Sequence, residues 1–169
     1  MCGMQHPEWY APCLAFLASI GLPVCEGEVP ADAFLPGIAV ADGGLRVDPS
    51  RLQWAGDLLH EAGHLAVMPA AVRAQAHADV DAGEHAPWAG EQEAMAWALA
   101  AAHAIGMPVD VLVHDGGYHG RAQDIRTMYA LGIVPGLRGL CASGMAAAGG
   151  FGADAGAVQY PAMLRWLRG

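Results

Sequence analysis

The sequence predicts an α+β fold that is mainly helical and includes a small antiparallel β-sheet or hairpin. Long apolar runs that end at glycine or proline predict the helices. Apolar residues at alternate positions on both sides of Asp42-Gly43-Gly44 predict the hairpin. Because hydrophobic residues make up 54% of the 169 residues and charged residues only 15%, we expect a single folded domain over residues 1–169 rather than a disordered chain.

The N-terminal part of the chain predicts one helix followed by the hairpin. Residues 8–21 are apolar on most sides and end at a glycine, which indicates a helix. Residues 22–36 contain repeated prolines and predict a loop. The two strands of the hairpin are expected at residues 38–40 and 45–47.

Two longer helices are predicted in the middle of the chain. Asp48 is a favourable helix cap and Pro49 suits the first helical position, so one helix is expected over residues 49–67. The other begins near residue 90 and runs to residue 103 or 105, and Gly106 ends it.

The remaining segments carry weaker signals. Residues 69–88 are mixed in character, being first rich in alanine and then acidic. Residues 109–114 predict a short strand, and residues 121–131 predict a helix. Residues 141–157 are rich in glycine and alanine and predict a loop, while residues 160–168 predict a closing helix.

Charge and segment lengths exclude several classes of protein. The net charge is −9 and all 8 basic residues are arginine, which disfavours binding to nucleic acid. Residues 9–25 are uncharged, but prolines interrupt them and no arginine precedes them, so they predict neither a signal peptide nor a membrane span. We therefore expect a cytoplasmic protein that binds neither nucleic acid nor a membrane. The cysteines show no C-x-x-C spacing and are expected to be reduced thiols: Cys2, Cys13, Cys25 and Cys141.

A metal-binding pattern lies within the helix predicted over residues 49–67. His60-Glu61-Ala62-Gly63-His64 reads H-E-x-x-H, and residues four apart share one face of a helix. His60 and His64 are therefore predicted to bind one metal ion together. Glu61 lies about 100° around the helix from His60, where its carboxylate can act as a general base on a water held by that ion. The alternative is two core histidines, each hydrogen-bonded to a carbonyl oxygen.

The residues around this pattern are small or aliphatic, which predicts a largely buried helix. Burying two imidazoles and a carboxylate without partners is unfavourable, and a metal ion would satisfy all three groups. Gly63 costs about 1 kcal/mol relative to alanine inside a helix. We expect its place to be explained by a close approach to the backbone, either by a functional group or by a neighbouring helix.

A third ligand is expected because catalytic zinc sites usually have three protein ligands and one open position. The longer motif with a third histidine is excluded, since Val67 and Ala70 stand where it needs glycine and histidine. The next predicted helix offers Glu91 and Glu93 in an otherwise apolar run. We favour Glu91, which shares a face with small apolar residues that would pack on the H-E-x-x-H helix, and keep Glu93 as the alternative. Either acid could instead complement the helix dipole.

Taken together, these residues resemble zincin-like metallopeptidases of the gluzincin type, in which H-E-x-x-H on one helix is completed by a glutamate on the next. Residues 91–94 match the E-x-x-A pattern of that second helix, and residues 91–108 loosely resemble ImmA/IrrE-type proteins. The resemblance extends over about residues 37–108. It implies a zincin-like fold and a zinc-dependent metallopeptidase that hydrolyses a peptide or protein substrate.

The resemblance also assigns roles to individual residues. It implies one Zn²⁺ per chain, bound by His60, His64 and Glu91, with Glu61 as the general base. Met95 departs from the pattern, because such families usually have an aspartate or asparagine there that orients a ligating histidine. This departure supports an alternative hypothesis of a non-hydrolytic metal-binding regulatory or interaction domain.

Several other polar residues are open to two interpretations. Asp57 either replaces the missing orienting contact or is an ordinary polar residue on the helix edge. The resembling peptidases often stabilise an oxyanion with a histidine or tyrosine, and a glycine-rich segment carries candidates that could instead be part of a surface turn: His114, Tyr118 and His119. His77 and His85 flank an acidic segment that predicts a second metal site or, more simply, a solvated loop.

Overall fold

The computed structural model describes residues 3–77, 90–149 and 156–169. In these residues the protein is a mixed α+β structure, which confirms the predicted class. Its seven α-helices are α1 (Tyr10–Ser19), α2 (Asp57–Val67), α3 (Ala70–Arg73), α4 (Glu91–Ile105), α5 (Val109–Leu112), α6 (Ala122–Ala130) and α7 (Leu137–Ala142). Its three strands are β1 (Val24–Glu26), β2 (Ile38–Ala41) and β3 (Gly44–Val47).

The sheet is mixed rather than purely antiparallel. β2 and β3 form the predicted antiparallel hairpin, and its turn residues Asp42 and Gly43 have φ angles of 51° and 73°. Such positive angles are typical of two-residue hairpin turns. The prediction of a loop over residues 22–36 is wrong at β1, which is too short to show alternation and pairs in parallel with β3. β3 is therefore the central strand, and it also contacts α2.

The helix that carries H-E-x-x-H begins later than predicted. Asp48 does start a turn, because its carbonyl oxygen accepts a hydrogen bond of 2.9 Å from the backbone N–H of Leu52. The turn does not continue as a helix because residues 53–55 pair with Gln5 through backbone hydrogen bonds. α2 consequently spans Asp57–Val67.

α4 confirms the helix predicted from about residue 90 to residue 105. It ends at Gly106, whose φ of 75° is the left-handed value expected of a glycine after a helix. The most extensive contact between two elements is that of α2 with α4. A methyl group at Gly63 would lie 2.5 Å from the backbone oxygen of Ala94. Close packing of a neighbouring helix is therefore the reason for glycine at this position.

Two elements predicted in the C-terminal half are wrong. Within residues 109–114 the structure has the helical turn α5 instead of a strand, because a short apolar run does not distinguish a buried helix from a buried strand. Residues 160–168 are irregular rather than helical. Their backbone groups bond to other parts of the chain, as the N–H of Arg168 does when it donates to the carbonyl oxygen of Ala66 at 2.9 Å.

The other predicted segments have mixed outcomes. The helix predicted over residues 121–131 is confirmed as α6. α7 overlaps the start of the loop predicted over residues 141–157 and has no regular apolar repeat that would reveal it. Residues 78–89 and 150–155 lie outside the described residues, so the predictions that fall there have no outcome.

Two further observations concern membrane-spanning helices and the cysteines. In the three described ranges, no helix is both long enough and apolar enough to cross a membrane. Cys13, Cys25 and Cys141 are free thiols, as predicted, while Cys2 lies outside the described residues.

Candidate metal centre

The two histidines of H-E-x-x-H lie on one face of α2, as their spacing predicts. The side chain of His64 is only 1% exposed and that of His60 is 15% exposed. Their Nε2 atoms are 3.2 Å apart, and the two rings are stacked with centroids 5.1 Å apart. Two nitrogen donors therefore meet at one point of the structure.

Glu91, the first residue of α4, brings its carboxylate to the same point. Its Oε1 lies 3.2 Å from Nε2 of His60, and its Oε2 lies 3.3 Å from Nε2 of His64. The contact between Gly63 and Ala94 explains this convergence, because Gly63 precedes His64 and Ala94 follows Glu91 by one turn. Helix packing thus joins donors that are far apart in the sequence.

The spacing of the three donor atoms fits a zinc ion. Zinc bonds to nitrogen and oxygen of about 2.0–2.2 Å in a tetrahedron place neighbouring ligand atoms roughly 3.3–3.5 Å apart. The separations among the three donors are 3.2–3.3 Å. Two imidazole nitrogens and one carboxylate are also a donor set found in catalytic zinc sites. The His60, Glu61 and His64 group could hold a metal ion, and Glu91 adds a further carboxylate beside the two histidines.

Glu61 brings a further carboxylate close to the two histidines. Its carboxylate and the nitrogens of His60 and His64 lie within 4.8 Å of one another, and the Glu61 side chain borders the same cleft. A carboxylate in this position is close enough to receive a proton through one intervening water. Glu61 is therefore part of the same cluster as His60 and His64.

Glu93, the alternative third ligand, points elsewhere. Its carboxylate packs against Gly139 of α7, and its Oε2 lies 3.9 Å from Nη1 of Arg168. Of the two acids at the start of α4, Glu91 is therefore the one that meets the histidines.

The charges of this cluster depend on one another. Burial by itself raises the pKa of Glu91, but hydrogen bonds from His60 and His64 hold that pKa well below its usual range. Burial by itself lowers the pKa of His60, but the carboxylates of Glu91 and Glu61 raise it above its ordinary value. Glu91 is therefore ionised, which is the form that binds a metal ion.

The cluster lies in a cleft with a volume of about 690 Å³. The lining includes four apolar residues, here called the apolar wall: Phe34, Leu35, Pro36 and Trp54. The glycine-rich segment of residues 115–120 borders the cleft beside the histidines. Phe34 is 83% exposed, so a large aromatic side chain stands open to solvent at this wall. No sequence pattern identified Phe34 as a residue of the site, because its segment was expected to be a loop.

A buried pair of polar side chains in hydrogen-bond contact lies next to the candidate metal centre. Nε2 of His114 is 2.9 Å from Oδ1 of Asp57, and these residues are only 3% and 7% exposed. The ring of His114 also stacks on Trp54 with centroids 4.1 Å apart. Both interpretations of Asp57 offered by the sequence are thus wrong: it is buried, and its described partner is His114 rather than a ligand histidine. The sequence offered no signal for this pair because its members are far apart along the chain.

The candidates for oxyanion stabilisation have different surroundings. The hydroxyl of Tyr118 donates a hydrogen bond of 2.9 Å to the carbonyl oxygen of Leu112, and burial raises its pKa. His114 borders the cleft with its Nε2 facing Asp57. His119 is exposed and also borders the cleft.

Two other sequence interpretations have clear outcomes. Met95 is buried in the hydrophobic core, so it makes no polar contact that could orient a histidine. Nδ1 of His77 lies 2.8 Å from the carbonyl oxygen of Gln75, and His85 lies outside the described residues. In the described part of the chain, the group of His60, Glu61 and His64 is the one cluster of three or more such side chains that could hold a metal ion.

Comparison of the chain with protein-family models, with curated proteins and with solved structures finds no match. The interpretation of the site therefore rests on its own geometry.

Proposed function

We propose that this protein is a zinc-dependent metallopeptidase with a zincin-like arrangement of its two central helices. One observation carries the proposal: donor atoms of His60, His64 and Glu91, which border the cleft, lie 3.2–3.3 Å from one another. Two histidines and a glutamate at this spacing suit Zn²⁺. In this proposal the three side chains are its ligands.

When bound, Zn²⁺ would supply Lewis acidity, polarising the carbonyl of the substrate and making water a stronger nucleophile. His60 and His64 donate nitrogen from one rigid helix, and Glu91 donates a carboxylate oxygen from the next. Because α2 and α4 are in backbone contact at Gly63, these ligands are held in place before any ion binds. Preorganisation of this kind favours catalysis, because little rearrangement is needed during the reaction.

Glu61 acts as the general base in this proposal. It accepts a proton from the attacking water and returns the proton to the nitrogen of the leaving amine. Its position next to His60 on α2 gives its carboxylate access to the cleft, within 4.8 Å of the two histidine nitrogens. A positioned carboxylate of this kind contributes typically about 10²–10⁴-fold to the rate.

A peptide substrate is supported by the strand next to the cleft. Leu35 and Pro36 border the cleft and lead directly into β2, which lies at one edge of the sheet. An edge strand can pair with an extended peptide through backbone hydrogen bonds. A peptide bound in this way would run beside the cleft that contains the three ligands.

Metal content and turnover test this proposal together. Untagged protein should contain one zinc per chain by elemental analysis. His60→Ala and Glu91→Gln should lose most of it, whereas Glu93→Gln serves as the matched control because its carboxylate faces Gly139. Glu61→Gln should retain zinc but should not hydrolyse a synthetic peptide library that the wild type cleaves. A zinc-free wild type, or full activity of Glu61→Gln, would contradict the proposal.

A second candidate function is a non-hydrolytic metal-binding regulatory or interaction domain. The hydrogen bond from Tyr118 to Leu112 and the pairing of His114 with Asp57 favour it, because these bonds occupy two candidate oxyanion donors. Under this alternative, zinc content follows the same pattern across the variants, but the zinc-loaded wild type cleaves no member of the library.

A further inference from the structure

We propose that Tyr118 is a positioning residue for the metal centre, holding the imidazole of His60 in the orientation that ligation requires. This inference rests on the proposed zinc site. It assigns Tyr118 a role through its aromatic ring, whereas the sequence suggested a role through its hydroxyl group.

The ring of Tyr118 lies nearly parallel to that of His60. The two ring centroids are 5.7 Å apart and the planes differ by only 9°. On the metal side, the ring of His60 is next to that of His64, with centroids 5.1 Å apart. Aromatic contacts of this kind restrict the rotation of a side chain and contribute about 0.5–1.5 kcal/mol in general.

His60 needs such a contact because its described hydrogen bonds do not involve its other ring nitrogen, Nδ1. In the described part of the chain, these bonds use Nε2, which faces Glu91 and His64. A metal-ligating histidine is usually held by a hydrogen bond at its other ring nitrogen. Met95, at the position where the resembling families carry an orienting polar residue, lies in the apolar core. The ring of Tyr118 takes the place of that contact.

Tyr118 is itself fixed at both ends. Its hydroxyl donates a hydrogen bond to the carbonyl oxygen of Leu112, and its backbone has a φ of 59°. A left-handed conformation is uncommon for a bulky residue and is retained where the surroundings enforce it. His119, the next residue, has a φ of 52°. The segment thus holds the Tyr118 ring against His60 at the cost of backbone strain.

The test measures zinc affinity by competition with a chromogenic chelator, with no need for catalytic activity. Tyr118→Asn removes the ring and tolerates the left-handed backbone, so zinc should bind about 10-fold or more weakly, as for other residues that orient a ligand. Tyr118→Phe keeps the ring and should bind zinc within about threefold of the wild type. His119→Asn is the matched control, because it makes the same replacement at the neighbouring strained position and should bind zinc as the wild type does.

Co²⁺ in place of Zn²⁺ gives a second readout. The visible absorption of the Co²⁺-loaded protein should change in Tyr118→Asn and be retained in Tyr118→Phe, because the spectrum reports the geometry of the ligands. Circular dichroism of the metal-free variants checks that each one folds. The inference is overturned if Tyr118→Asn binds zinc like the wild type, or if His119→Asn weakens binding equally. If His60→Ala binds zinc as well as the wild type does, the metal site itself is wrong, which is a different outcome.

Discussion

The backbone of Gly63 lies directly against the carbonyl group of Ala94: a methyl group at position 63 would come 2.5 Å from the oxygen of Ala94. This contact sets the distance between α2 and α4. It also places His64 opposite Glu91, since each lies within one turn of the contact. The convergence of the candidate ligands is thus a consequence of helix packing at a single glycine.

Replacing Gly63 with alanine should weaken zinc binding more than it weakens folding. Alanine gains about 1 kcal/mol in helix propensity, while forcing a methyl group into packed backbone costs about 1–3 kcal/mol. The net loss in the free energy of unfolding should therefore be below about 2 kcal/mol. Zinc affinity should fall at least tenfold, because separation of the helices moves Glu91 away from His64.

Gly90→Ala is the control for this experiment. It makes the same substitution next to Glu91, at a position where a methyl group would meet no atom of the described residues within 4 Å. Thermal unfolding and chelator competition should give wild-type values for this variant. Zinc binding by Gly63→Ala as tight as that of the wild type would show that the contact does not control the site.

Features of the site that depend only on residues close together in the sequence could be predicted, whereas features that depend on distant residues could not. The shared face of His60 and His64 is local, because it follows from helical periodicity. The preference for Glu91 over Glu93 is local as well, because it follows from the face that Glu91 occupies on the predicted helix. The surroundings of Glu93 are not local: it packs against Gly139 of α7, a helix that the sequence did not predict.

The fold shows the same division. The hairpin and α4 could be predicted because turn residues and a closing glycine mark them in the sequence. The start of α2 could not be predicted, because the pairing of Gln5 with residues 53–55 overrides the favourable cap at Asp48. The C-terminal segment was also predicted wrongly, since its backbone bonds to distant residues in place of forming a helix.

The contributions of Asp57 and His114 to the free energy of unfolding should be strongly coupled. His114→Phe keeps an aromatic ring against Trp54 but leaves the carboxylate of Asp57 without its described partner, which typically costs about 3–5 kcal/mol. Asp57→Leu combined with His114→Phe removes both polar groups and should recover part of this loss. Chemical unfolding of the two single variants and the double variant gives the coupling energy. The expected coupling would be contradicted if the double variant lost as much free energy of unfolding as the two single variants lose together.

Cys13 should make unfolding depend on pH at alkaline values. Burial raises the pKa of its thiol from 9.0 to about 12, so the folded state favours the neutral form. The stabilisation from this group is complete below pH 9 and is lost as pH rises from 9 to about 12. In that range the free energy of unfolding of the wild type should fall with pH more steeply than that of Cys13→Ala. The difference between the two slopes should be about 1.4 kcal/mol per pH unit. Cys25→Ala, which alters an exposed thiol, should keep the slope of the wild type.

Phe34 should contribute to substrate binding without contributing to stability. It is 83% exposed at the apolar wall of the cleft, so its removal leaves the core intact. If a substrate side chain packs on it, Phe34→Ala should lower kcat/KM about tenfold for peptides with a large apolar residue, as expected from the loss of roughly 1.5 kcal/mol of apolar burial. Leu131→Ala is the matched control, because Leu131 is 71% exposed and is not one of the described residues that border the cleft. Equal kcat/KM values for wild type and Phe34→Ala, with unchanged thermal unfolding, would show that this wall does not contact the substrate.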